Sequence, residues 1–238
     1  MNISSLNRSF ALVALALTAA ISQAGPITSG FTFAVASSGS NTSTGTHFHS
    51  STGGVFGNPA GKAEVGRFST EEVRGLSEYN LAGQSLAASA FVTFDIYKKG
   101  GLFNGTNNTP FLGTIIVDAY AGNNREDISD YQAASLGQVG TFNIDPASFN
   151  VGDVFSFDVT GFFNSLISSG GTSLGIRLRE SSSNADYRLS RAWTFQDFRL
   201  TTDNQCTGNA CVRSVPEPGA LALVALALGV AGLLRRRV

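Results

Sequence analysis

Apolar and polar residues alternate by two along most of the middle of this chain, a period that belongs to strands with two unlike faces. Phe31-Thr32-Phe33-Ala34-Val35 opens the series, and Glu78-Tyr79-Asn80-Leu81 follows after Arg74-Gly75-Leu76. The clearest run is Ala90-Phe91-Val92-Thr93-Phe94-Asp95-Ile96-Tyr97, ended by Lys99-Gly100-Gly101. Further strands are predicted over Leu112–Tyr120, Phe142–Ile144, Val154–Val159, Leu174–Arg179 and Phe195–Leu200. Between Phe162 and Ile167 the apolar residues stop alternating, which predicts one short helix. The Ser/Thr/Gly-rich stretch Ser37–Thr46 reads as a long loop. Strands at intervals of roughly 10 to 25 residues, with turn residues between them and no strand–helix alternation, predict a single antiparallel β-sandwich.

The two ends break the pattern with unalternated apolar runs. Met1–Ala24 has a polar start with Arg8, an apolar stretch from Phe10 to Ile21, and Ser22-Gln23-Ala24 before Gly25. That order predicts an export signal cut by signal peptidase between Ala24 and Gly25. At the other end Val215-Pro216-Glu217-Pro218 leads into an apolar segment, Gly219–Leu234, and then Arg235-Arg236-Arg237. The segment is predicted to be a transmembrane helix about 24 Å long, slightly short for a hydrocarbon core of about 30 Å. The three arginines hold the cytoplasmic side and place everything before Pro216 across the membrane. This order of elements resembles the PEP-CTERM tail of bacterial surface proteins. The resemblance implies an exosortase-type membrane protease as partner, with Pro216, Glu217 and Pro218 as the sorting motif.

The chain thus divides into a signal peptide (1–24), a β-sandwich domain (25–205), a Cys-containing linker (206–215) and a sorting tail (216–238). Charged residues make up only 14 % of the chain, against roughly 25 % in ordinary domains, whereas Gly and Phe are abundant. That mixture suits short strands and tight turns. The net charge is −1, and without Arg8 and the tail arginines the domain is mildly acidic. With no basic stripe, nucleic acid is excluded as a partner. Cys206 and Cys211 flank Thr-Gly-Asn-Ala, and export to an oxidising compartment predicts a small disulfide loop.

The middle also resembles DNRLRE-type and related carbohydrate-binding jelly rolls. The residues that carry the likeness are Arg74-Gly75…Glu78-Tyr79-Asn80-Leu81, Ala90-Phe91-Val92-Thr93-Phe94, Phe157-Asp158-Val159-Thr160 and Leu174-Gly175-Ile176-Arg177-Leu178-Arg179-Glu180. Tyr79-Asn80 stands where that family has Phe-Asp. The resemblance implies a jelly-roll-like sandwich, a fold that often holds a structural calcium; the expectation for this chain is no cofactor, with calcium as the alternative.

Catalytic chemistry has little support in the residues. Ser77 lacks the second glycine of a nucleophile elbow, and the only histidines, His47 and His49, precede it. Those two imidazoles share a face if extended and a loop otherwise. Glu64, Glu71, Glu72, Glu78, Asp95, Asp118 and Asp158 supply carboxylates, but no spacing singles out a glycosidase pair. Asn124, Glu126, Asp127 and Asp130 form the densest oxygen source and the candidate calcium loop, without EF-hand spacing. For stacking on sugars the candidates are Tyr120, Tyr131 and Trp193. The expectation is an exported, non-catalytic surface or matrix protein associated with exopolysaccharide or biofilm. It starts as an inner-membrane-anchored precursor and ends at the cell surface or outside. A polysaccharide-acting enzyme and a structural protein without glycan ligand are the alternatives.

Overall fold

The computed structural model describes residues 26–28, 30–49, 59–102 and 107–213; the predicted signal peptide and sorting tail lie outside them. The strands are β1 (Pro26–Thr28), β2 (Gly30–Ser38), β3 (Asn41–His49), β4 (Ala63–Phe68), β5 (Glu71–Asn80) and β6 (Phe91–Lys98). They continue as β7 (Gly113–Ala121), β8 (Ser135–Ile144), β9 (Val154–Asp158), β10 (Ser173–Glu180) and β11 (Ala192–Thr201). Two helices, α1 (Thr160–Ser168) and α2 (Asn209–Arg213), complete the fold with a 3-10 turn at Ile128–Tyr131. Among the described residues no helix is long and apolar enough to cross a membrane.

Every pairing is antiparallel, and the strand order β8-β7-β10-β5-β4-β11-β6-β9 makes one nearly closed, β-sandwich-like sheet. The bend lies at the β4–β5 hairpin. Gly66 to Phe68 pair with β5, while Ala63 to Gly66 pair with β11 in the second layer. Gly66 is where β4 serves both strands, at φ 134°; a Cβ there would sit 2.3 Å from the Arg191 carbonyl oxygen. β1 and β2 cross between layers in the same way, the first pairing β11 and the second β5.

The two layers enclose a phenylalanine-rich core. Phe94 lies 4.8 Å from Phe198, 5.6 Å from Phe155 and 5.5 Å edge-on from Phe195 (ring centroids). Phe195 and Phe198 both face inward although they are three apart. A register shift between Gln196 and Arg199, with Asp197 at φ 53°, adds one residue to β11 and restores the inward side. Helix α1 packs Phe163 and Leu166, spaced for one helical face, against this core. Asn164 fixes it by accepting from Ala87 N and donating to Ala87 O, both at 2.9 Å.

The structure departs from the sequence expectations in two places. Ser37–Thr46 is no loop: it is the β2–β3 hairpin, turning at Gly39 (φ 53°). Thr, Ser and Asn at alternate positions suit an exposed edge strand, where no apolar face marks the period. The strand β4 carries only a short apolar period, since its inward residues are Ala63 and Val65. Residues 206–213 fold against β9, with Ala210 buried in the core.

Candidate functional site

The outer face of the first layer, where a sandwich ordinarily meets water, is roofed and polar. On β5, residues Glu72, Leu76 and Glu78 point outward and are all buried, with Arg74 partly so. Cross-strand register sets Glu78 opposite Gly175, and Gly175 opposite Tyr120. With no side chain at 175, the Tyr120 ring lies across the gap; a Cβ there would stand 2.2 Å from it. Tyr120 Oη donates to Glu78 Oε1 at 3.2 Å. The other oxygen, Oε2, accepts from Ser173 Oγ at 2.9 Å and from the backbone N–H groups of Asn123 and Asn124 at 3.0 and 2.8 Å. A buried carboxylate so supplied with donors holds the start of the 122–134 roof.

Two arginines hold its far end. Arg177 Nη1 donates to the carbonyls of Asp130, Tyr131 and Ala133 at 3.1, 3.0 and 3.0 Å. Arg74 stacks over Tyr131, 3.9 Å from ring centroid to guanidinium carbon, and donates to Tyr131 O at 2.8 Å and Glu72 Oε1 at 2.6 Å. Burial lowers the Arg177 pKa, reinforced by the nearby Arg74 charge and opposed by Asp118. Asp118 itself pairs with Arg179 at 2.8 Å. The connection from β10 to β11 roofs the rest of this face, where Tyr187 Oη donates to Glu72 Oε2 at 2.8 Å.

These contacts locate the sequence candidates. Tyr120, Tyr131 and Trp193 have no exposed surface; Tyr120 sits under the roof, Tyr131 belongs to the roof, and Trp193 donates from Nε1 to Phe111 O at 2.8 Å inside the core. As folded, none offers a ring face to a sugar. In the proposed calcium loop, Asp127 accepts from Ser129 N at 2.8 Å, and Asp130 accepts from Asp127 N at 3.0 Å, a reciprocal cap on the 3-10 turn. Burial and then the Glu78 charge push Asp130 up to about 7. Asn124 donates to Thr172 O at 2.8 Å, and Glu126 is half-buried beside it. Among the described residues no three His, Cys, Asp or Glu side chains are grouped so as to hold a metal ion. His47 stands on β3, exposed, 3.5 Å from Glu71 Oε2. Cys206 and Cys211 are joined by a disulfide, with Cα atoms 5.0 Å apart.

The outer face of the second layer is roofed only at its ends. At one, the buried Glu64 accepts from Leu102 N at 3.2 Å and from Asn107 Nδ2, and Thr194 Oγ1 donates to Gly100 O at 2.8 Å. At the other, the disulfide loop lines the β9 edge: Thr207 N donates to Val154 O, and Val154 N to Thr207 Oγ1, both at 2.9 Å.

The described residues end at Arg213, just after the disulfide loop. The model of the PEP-CTERM protein-sorting motif matches residues 214–238. The chain carries that motif. It covers the predicted Pro216-Glu217-Pro218, the apolar run and the arginines 235–237, all outside the described residues. Such a motif implies an exported, membrane-anchored precursor processed by exosortase, a membrane protease, and then released. No curated protein matches the chain.

Proposed function

We propose that this is a non-catalytic protein of the cell surface or extracellular matrix, associated with exopolysaccharide or biofilm and able to bind carbohydrate. In this reading residues 1–24 are a signal peptide cut at Ala24, residues 219–234 span the inner membrane until processing, and the domain is a jelly-roll-like sandwich. The observation that carries it is the sorting motif at 214–238. Support for a non-catalytic role comes from where the acids lie: Glu64, Glu72 and Glu78 are sealed under loops and engaged by fixed donors.

The sorting part is testable directly. Proline lacks a backbone donor and disfavours helix in the residue before it, so Pro216 and Pro218 keep Val215–Glu217 extended for a protease to bind. Changing Pro216-Glu217-Pro218 to alanines is expected to leave an unprocessed precursor in the membrane fraction. The measurement is electrophoretic mass and fractionation in a host that carries an exosortase. Maturation of the alanine variant at the wild-type rate would make the tail a plain anchor.

A further inference from the structure

Between its two roofs the second layer leaves an open polar strip made by Lys62, Asp95, Tyr97, Gln196, Asp197 and Arg199. Asp197 and Arg199 are exposed and the rest half-buried. The extra residue in β11 creates it. A regular strand would send Gln196 and Asp197 to opposite faces, but the bulge sets both outward beside Asp95 on β6. Below them a cavity of about 90 Å³ opens, lined by Thr93, Asp95, Asp197, Arg199 and Gln205, with Phe94 and Val154 at its base.

The chemistry of that cavity is specific. Asp95 Oδ1 is enclosed and without a hydrogen-bond partner among the described residues; closed to solvent, it is not itself a ligand contact, and the reachable carboxylate and cation are those of the exposed Asp197 and Arg199. Burial raises the Asp95 pKa; the Gln196 hydrogen bond opposes this, and Asp197 adds to it. Two carboxylates face two cations, because Lys62 and Arg199 both act on Asp95, and the strip is close to neutral. Acceptors and donors standing side by side suit hydroxyl groups, which give a proton to a carboxylate while accepting from a guanidinium or an amide. Calcium fits poorly, since it takes six to eight oxygens and here would meet two carboxylates beside a fixed positive charge. The opening admits a few water-sized groups, room for the hydroxyl-bearing edge of one sugar ring.

We propose that the cavity bounded by Asp95, Asp197 and Arg199 is a subsite for a neutral sugar, holding adjacent hydroxyls of one ring. This rests on the carbohydrate part of the proposed function and moves it from the buried aromatics to the second layer. The test uses the exported protein, purified, with dextran, mannan and laminarin in affinity electrophoresis and cellohexaose in calorimetry. Alginate and calcium chloride serve as contrasting probes. Asp197→Gly removes the side chain while suiting the left-handed backbone at φ 53°, and Arg199→Ala changes an exposed side chain, so their melting temperatures should stay within a degree or two of wild type. Both are expected to weaken binding of the retained neutral glycan at least tenfold. If wild type binds a neutral glycan and both variants bind it equally well, the subsite is wrong and carbohydrate binding lies elsewhere. If wild type binds none of the neutral probes, the subsite and the carbohydrate reading fall together. Retention on alginate alone, or saturable calcium binding lost in Asp197→Gly, also overturns the neutral-sugar assignment.

Discussion

Glu180 stands on β10 with its side chain buried and one oxygen, Oε2, without a hydrogen-bond partner among the described residues. Burial pushes its pKa up to about 7. Asn184 and Arg67 oppose the rise, while Glu72 and Asp186 add to it. Asp130 is raised to a similar value. A carboxyl that holds its proton more tightly when folded favours the folded state most below its ordinary pKa. That contribution fades as pH rises through the folded value, so these two groups make the protein less stable between about pH 5 and 8. Glu180→Gln keeps the acceptor that faces Asn184 and removes the buried charge. Its melting temperature is expected to exceed wild type at pH 8, match it near pH 5, and fall less steeply between them. A parallel fall in both proteins would assign the effect to other groups.

The disulfide loop is the element whose role depends most on its place. It follows β11, returns along the free edge of β9 and buries Ala210, so it closes a strand that would otherwise show unpaired backbone groups. Closing a loop this short is worth about 2 kcal/mol in the chain-entropy account. Changing both Cys206 and Cys211 to Ser should lower stability by about that amount and, by loosening Thr207 from Val154, promote association through β9. Denaturant unfolding measures the first, and light scattering of the folded protein the second. An equally stable, monomeric double variant would show that the hydrogen bonds alone hold the loop.

At the scale of the molecule, β11 joins the ends of the chain. It pairs with β6 along its length and with β4 and β1 on its other side, while β2 crosses to β5 in the first layer. The fold therefore waits for the last of the described strands, and contacts so distant in sequence form slowly. A chain ended at Arg191 loses Trp193, Phe195, Phe198 and Leu200 from the core and should show no cooperative thermal transition by circular dichroism. A chain ended at Thr202 keeps β11 and should still melt cooperatively, at a lower temperature than wild type. Cooperative melting of the shorter chain would mean that the first layer folds alone.

The sequence by itself determined the β class, most strands of the sandwich, the helix after β9 and the sorting motif. Each is written in a local period or in an uninterrupted run: Val92, Phe94 and Ile96 alternate with Thr93 and Asp95, and the tail's proline pair, apolar stretch and arginines are contiguous. Only the tertiary structure decided what each polar or aromatic residue faces. Alternation separates two faces but does not say whether the polar one meets water. Glu78, Arg177 and Tyr120 lie on an outward face that the 122–134 loop covers, so they read as surface residues and are buried. Asp95 and Asp197 are 102 positions apart in the sequence. They line one cavity because β6 pairs with β11 and a single extra residue turns Asp197 outward. Burial depends on which segments pack together across the whole chain, and no local pattern carries that information.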